Sequence, residues 1–223
     1  MKAIAVIPAR GGSKRIERKN IRDFCGKPII AYSIKAALEA KIFDRVIVST
    51  DDLEISGVAR RFGAEVPFLR PKELCDDFTG VVPVVAHAIE ALGGADAACL
   101  IYATAPFISA SDLREAKNAL KDNDYVLSIA SFEAPIFRAL KMDSNGKIAS
   151  IWREYERVRS QDLPSAYHDA AHFCFGRSGA FLQGLSIFNS KTIGFEIDKK
   201  RVQDIDTKSD WSRAEAMFRA QFC

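Results

Sequence analysis

The stretch Lys2-Ala3-Ile4-Ala5-Val6-Ile7-Pro8-Ala9-Arg10-Gly11-Gly12-Ser13-Lys14-Arg15 decides how the rest of the chain is read. Its first half is an unbroken apolar run ended by Pro8. A strand without polar alternation is one buried on both faces, as in a parallel sheet. Its second half turns abruptly basic. Working outward, strand-like and helix-like patterns take turns. Ile30, Ile34, Ala37 and Leu38 recur at helical spacing, residues 45–49 are β-branched, and residues 53–62 read as a helix stopped by Gly63. Residues 65–69 read as a third short strand and 81–92 as a helix, with Pro83 tolerable only in its first turn. Residues 98–102 and 125–132 read as strands around a helix at 111–121. Ser109 with Asp112, and Thr207 with Asp210 ahead of Trp211, carry capping-box spacing.

Alternation of this kind implies βαβ units with right-handed crossovers. The expectation is an α/β fold: a mostly parallel sheet with helices on both faces, in one domain over residues 1–223. The rhythm breaks between residues 133 and 169, and resumes near 173–175 and 192–197. Within the break, Asp143-Ser144-Asn145-Gly146 is a turn signal between extended-looking flanks. A projecting arm over 133–169 and a long surface loop both fit that pattern.

Composition removes several classes of function. Of 223 residues, 48% are hydrophobic and 27% charged, which suits a folded globular chain and not a disordered one. The charge is 32 − 29 = +3, too balanced for a general nucleic-acid binder. The five cysteines, Cys25, Cys75, Cys99, Cys174 and Cys223, are odd in number and form no C-x-x-C. That argues against a disulfide framework or a structural zinc site and for buried thiols in a reducing compartment. The apolar run at residues 3–9 is short for a signal peptide, and no run nears the ~20 residues of a membrane helix. A cytoplasmic protein without a membrane partner is expected.

In open parallel sheets ligands bind beyond the carboxyl ends of the strands. The loop after the first strand is therefore the first candidate site. Gly11 and Gly12 allow a tight turn, and the backbone N–H groups of such a turn, Ser13 included, can cradle an anion. Arg10, Lys14, Arg15, Arg18 and Lys19 add positive charge at the same place, as a nucleoside triphosphate requires. A solvated basic loop is the alternative, which the position after a buried strand disfavours. The loop is not a P-loop: G-x-x-x-x-G-K-[ST] fails at Gly26-Lys27, where Ile21 replaces the first Gly and Pro28 the hydroxyl residue. Gln203-Asp204-Ile205-Asp206-Thr207 is the second candidate. Residues i and i+2 of an extended segment share a face, so Asp204 and Asp206 would stand side by side and repel unless a cation lies between them. Mg²⁺ binds through one or two carboxylates plus substrate phosphates, which suits two aspartates. In Arg159-Ser160-Gln161-Asp162, the Arg159 fork could grip a carboxylate or simply form a salt bridge within the arm. His168 and His172 lack zinc spacing and read as hydrogen-bonded or surface residues.

Taken together, residues 7–15 with Lys19-Asn20, Gly26-Lys27-Pro28, residues 46–52, Phe68-Leu69-Arg70-Pro71, residues 102–106 and residues 203–207 resemble the acylneuraminate cytidylyltransferase family over nearly the whole chain. Residues 136–140, 159–163 and 166–170 look most like the family's pseudaminic acid branch. The resemblance implies a Rossmann-like nucleotide-diphospho-sugar transferase fold, Mg²⁺ and a homodimer. It also implies transfer from CTP to a nine-carbon 2-keto acid sugar, pseudaminic acid first, with N-acetylneuraminic, legionaminic and eight-carbon acids as alternatives. A non-catalytic nucleotide-binding module is the competing class. By motif, Arg10, Lys14 and Lys19 would hold the triphosphate, and Asn20 and Arg70 the nucleotide end. Asp204 and Asp206 would hold the metal, with one of them, like Lys14, serving catalysis. Arg138 and Arg159, with Gln161 beside them, would reach the sugar. Three places depart from the family pattern: Ala103, residues 78–81, and Ala171-His172-Phe173-Cys174, the last beside the expected sugar pocket.

Overall fold

In the computed structural model, which describes residues 1–222, the opening apolar run is strand β1 (Ala3–Pro8), buried throughout from Ala3 to Ile7. A small hairpin of β2 (Asp23–Phe24) and β3 (Lys27–Pro28) follows, then α1 (Ile30–Ala40), β4 (Arg45–Ser49) and α2 (Leu53–Arg61). Next come α3 (Val81–Ala91), β5 (Ala97–Ile101), α4 (Ala110–Leu120) and β6 (Tyr125–Ser131). A second hairpin, β7 (Leu140–Met142) and β8 (Ile148–Ser150), precedes the long β9 (Tyr167–Arg177). The described elements close with α5 (Ser178–Leu182), β10 (Thr192–Glu196) and α6 (Lys208–Phe222).

Six strands form the central sheet in the order β10-β6-β9-β5-β1-β4. β4, β1 and β5 run parallel, as do β10 and β6, and β9 is antiparallel to both of its neighbours. Successive side chains of β1 point to opposite faces. Ala3, Ala5 and Ile7 pack with Ile34 of α1, Ile55 of α2 and Leu113 of α4. Ile4 and Val6 pack with Val85 and Ile89 of α3 and Phe181 of α5. Helices thus cover both faces, as the unbroken apolar run requires.

The local signals account for most boundaries. Ser109 and Asp112 exchange both bonds of a capping box, at 3.2 and 3.1 Å, and Thr207 and Asp210 do the same at 3.2 and 2.8 Å. Gly63, at φ +93°, follows α2 in the left-handed conformation that ends helices. Leu38 turns out 41% exposed, so it lies at the edge of the buried face of α1.

Two expectations are corrected. Residues 65–69 are not a strand. Glu65 bridges β4, donating to Val46 at 2.8 Å and accepting from Val48 at 2.9 Å, but Pro67 has no N–H to continue the ladder. The strand expected near 173–175 is the eleven-residue β9, and it is antiparallel. Its polar first half concealed it, together with a register shift against β6. Ala171 there adopts φ +52°, and the Ser128 hydroxyl accepts from the N–H groups of His172 and Phe173 at 3.2 and 3.0 Å.

Between β6 and β9 the chain leaves the sheet. The β7–β8 hairpin turns where Asp143 accepts from the N–H groups of Asn145 and Lys147 at 2.8 and 2.9 Å. Phe137 packs its ring on Trp152 and Tyr155, and Leu140, Met142 and Ile148 remain exposed. Tyr167, His168 and Asp169 pair with β6, so the excursion ends before residue 167 and not at 169.

Candidate active site

A cavity of about 240 Å³ lies beyond the carboxyl ends of β1 and β5. Of the residues singled out in the loop after β1, Arg10, Ser13, Lys14, Arg15, Lys19 and Asn20 line it, and so does Arg70, whose N–H donates to the Thr50 carbonyl just after β4. Thr79, Gly80 and Val81, at the start of α3, form the opposite wall, with Tyr102, Ala103 and Thr104 after β5.

The loop is held by its own polar groups. Asn20, nearly buried, donates to the Arg10 carbonyl at 3.0 Å. Arg70 is buried and binds Ser49 through Nε at 3.1 Å and through Nη2. Burial lowers its pKa, yet its planar fork has N–H groups beyond those two. Arg18 serves the scaffold: it grips Asp52, the N-cap of α2, at 2.6 and 3.0 Å, and holds that carboxyl down at a pKa of about 2.

Gly11 has a structural use that the sequence reading did not assign. The Gly11 N–H donates to Asp51 at 2.9 Å and the Ser13 N–H to the Gly11 carbonyl at 3.0 Å, so neither is left for a ligand. A Cβ at Gly11 would come within 2.7 Å of the Asp52 carboxylate, whereas one at Gly12 would meet nothing. Gly11 is there for close packing, and the side chains supply the cavity's positive charge.

Part of that charge is already matched by a group the sequence reading missed. Asp77 pairs with Arg10 at 2.7 Å and with Lys14, and the Asp76 carbonyl accepts from Arg10 at 2.8 Å. Lys14 and Arg10 hold the Asp77 carboxyl below the usual range. The acidic pair Asp76-Asp77 beside a basic loop was visible in the sequence, but only the fold sets them face to face.

Asp204 and Asp206 flank the buried Ile205 on a segment that Lys19 ties to the loop. Arg15 lies 2.8 Å from Asp206, and Lys19 3.4 Å. Burial and the neighbouring Asp206 raise the Asp204 carboxyl, and burial with Asp204 raises Asp169. Tyr102 bridges the cavity to this acidic group. Burial, with Asp169 and Asp204 nearby, raises its hydroxyl, so it stays protonated and able to donate. No cluster of three or more metal-ligating side chains exists among the described residues. Two neighbouring carboxylates tied by Lys19 to a cationic cavity nonetheless fit a hard divalent cation that takes its other ligands from phosphate and water.

Arg138, Arg159 and Gln161 are absent from this cavity's lining. Arg138 donates to the Val158 carbonyl at 2.6 Å, and Arg159 pairs with Asp162 at 2.7 Å, exposed within the arm. His172, read as hydrogen-bonded or exposed, is buried, and neither ring nitrogen has a partner. Burial takes its pKa down to about 4. Cys99 and Cys174 are buried, and Cys25 and Cys75 only partly; Cys223 lies outside the described residues. No helix among the described residues is long and apolar enough to cross a membrane.

A cationic cavity at the carboxyl ends of parallel strands is the kind of arrangement a nucleotidyltransferase needs. The chain belongs to the cytidylyltransferase family, whose model matches residues 4–219. It is 43% identical to a pseudaminic acid cytidylyltransferase of Campylobacter jejuni, over 98% of this chain and 97% of that protein. It is 28% identical to an N-acylneuraminate cytidylyltransferase of Escherichia coli, over 96% of this chain and 51% of the other. Its fold matches a CMP:2-keto-3-deoxy-manno-octonic acid synthetase solved in complex with CTP, with a TM-score of 0.75, 18% identity and full coverage of both chains.

Proposed function

We propose that this cytidylyltransferase activates pseudaminic acid, a nine-carbon 2-keto acid sugar, with CTP, giving the CMP-sugar and pyrophosphate. One observation carries the placement of the reaction: Arg10, Lys14, Lys19, Asn20 and Arg70 meet in one cavity, with Asp204 and Asp206 tied to it through Lys19. The choice of sugar rests on the near-full-length likeness to the Campylobacter jejuni protein.

The anomeric hydroxyl of the sugar attacks the α-phosphorus of CTP, and the bond to the bridging oxygen of the departing pyrophosphate breaks. Arg10, Lys14 and Lys19 hold the triphosphate and offset charge on the leaving oxygens. Asn20 and Arg70 hold the nucleotide end. The hydroxyl proton passes to a carboxylate of the Asp204–Asp206 pair, directly or through water. These two residues would also hold Mg²⁺, which supplies charge neutralisation at the phosphates. Such transfer needs positioning and charge stabilisation more than covalent catalysis.

Arg138, Arg159 and Gln161 act on the sugar from a second copy of the chain. Their place on an arm with exposed Leu140, Met142 and Ile148 supports a homodimer. The free thiols of Cys75, Cys99 and Cys174 support a reducing, cytoplasmic setting.

The test is pyrophosphate release with CTP and Mg²⁺ across pseudaminic, N-acetylneuraminic, legionaminic and eight-carbon keto acids. The expected result is the highest kcat/KM for pseudaminic acid. Another preferred acid would overturn the sugar, and no release with any acid would favour a non-catalytic nucleotide-binding module.

A further inference from the structure

The segment that carries the two carboxylates has no regular structure of its own: residues 202–206 lie between a short 3-10 turn, Lys199–Arg201, and α6. Such a segment is only as well placed as its anchors. Downstream, Lys19 binds the Ile205 carbonyl at 2.7 Å and Ile205 is fully buried. Upstream, the Arg201 fork engages Asp112 through both nitrogens, at 2.8 and 3.0 Å, and reaches the Phe107 carbonyl at 3.4 Å. Asp112 is itself fixed in the capping box of α4. Its side chain is 9% exposed and that of Arg201 27%, unlike the exposed pairs elsewhere on the surface. A shielded, two-bonded Arg–carboxylate pair is directional, and Lys cannot reproduce its geometry.

We infer that Arg201, gripped by Asp112, is a positioning residue that sets where the segment leaves the sheet, and with it the spacing and aim of Asp204 and Asp206. The inference rests on the reading that those carboxylates hold a divalent cation with CTP.

The experiment compares Arg201→Gln, Arg201→Lys, Asp112→Asn and Asp206→Ala with the parent protein. Arg45→Gln is the control, since it removes an Arg–Glu65 pair at the far edge of the sheet. Mn²⁺ binding in the presence of CTP, read by paramagnetic relaxation without sugar, is measured beside kcat, KM and the melting temperature. Loss of an outer anchor of a metal site costs affinity by tenfold or more in typical cases. Here Arg201→Gln and Asp112→Asn should weaken Mn²⁺ binding about fivefold or more and lower kcat, with KM for CTP little changed. Arg201→Lys, the mildest change, should recover part of the loss, and a variant combining Arg201→Gln with Asp112→Asn should be no worse than either single one, because the two residues act as a unit. If Mn²⁺ binding and kcat in all three anchor variants match those of Arg45→Gln, the positioning role is overturned, whatever happens to stability. If Asp206→Ala also leaves Mn²⁺ binding intact, the metal reading falls and the positioning role with it. A loss in Asp206→Ala alone overturns only the positioning role.

Discussion

Lys19 donates its ammonium to the carbonyl oxygen of Ile205 at 2.7 Å, joining two residues 186 apart in the chain. Its Nζ is also 3.4 Å from Asp206. One side chain thus lines the cationic cavity and holds the segment that bears the acidic pair. Distance along the chain is irrelevant to this contact: the crossovers of the sheet bring both segments to the carboxyl ends of the strands.

Removing a carboxylate of that pair should cripple turnover and spare the fold. Asp206→Ala should lower kcat by ~10²-fold or more, the scale for losing a charge-stabilising group. Circular dichroism should match the parent. An unchanged kcat at saturating Mg²⁺ would remove Asp206 from the reaction.

Asp77 pairs with Arg10 and Lys14, the cations proposed above to hold the triphosphate, and would compete with it for them. Exposed ion pairs contribute little and are screened by salt. Asp77→Asn should therefore lower the KM for CTP roughly two- to fivefold at low salt, less at high salt, in keeping with that scale. Lys14→Ala should instead lower kcat/KM for CTP. A higher KM in Asp77→Asn would mean that Asp77 helps the bound nucleotide.

The arm arginines call for a complementation test. Arg159 pairs with Asp162 in its own arm and is absent from the lining of the cationic cavity of its own chain. Mixing Arg159→Ala chains with Asp206→Ala chains should restore activity in heterodimers that assemble one site from two intact halves. Mixed dimers that stay inactive would place each site within one chain.

His172 should make the fold acid-sensitive. Its folded pKa, about 4, lies below its ordinary 6.5. Above 6.5 the ring is neutral in both states and contributes nothing. Below 6.5 the unfolded chain takes up the proton and the folded one does not, so stability falls from 6.5 down to about 4, by up to about 3 kcal/mol. Asp112 and Arg201 face the ring with opposing effects, and burial dominates. His172→Gln should flatten this part of the stability–pH curve in urea melts. A curve of unchanged slope would show that the ring takes up its proton in the folded state.

Ala171 holds φ +52° beside the register shift. A left-handed conformation costs an L-residue about 1–2 kcal/mol, and the extra freedom of unfolded glycine offsets about half of that. Ala171→Gly should raise the melting temperature by about 1–3 °C. A lower melting temperature would show that the alanine methyl makes a compensating contact.

Where local chemistry sets the outcome, the sequence was legible. The caps at Ser109 and Thr207, the stop at Gly63, and the buried strand ending at Pro8 all depend on neighbours in the chain. The basic loop was also legible, since five cations in ten residues after a buried strand have few other uses. The use of Gly11 was not, because a missing Cβ looks the same whether it makes room for a ligand or for Asp52. Nor was the burial of His172, because a histidine suits a surface as readily as a core and only the packing of β9 decides between them.

By itself, then, the chain's pattern determined the α/β class, the edges of most elements and the clustering of cations after the first strand, because periodicity, caps and charge clusters act over a few residues. Only the tertiary structure decided that β9 runs antiparallel, that Arg18 belongs to Asp52 and not to a ligand, that Asp77 meets Lys14, and that Arg201 and Lys19 bracket the acidic pair. Each of these joins residues more than thirty apart. Which distant segments meet is settled by strand order and by the packing of both sheet faces, quantities that no local stretch of sequence contains.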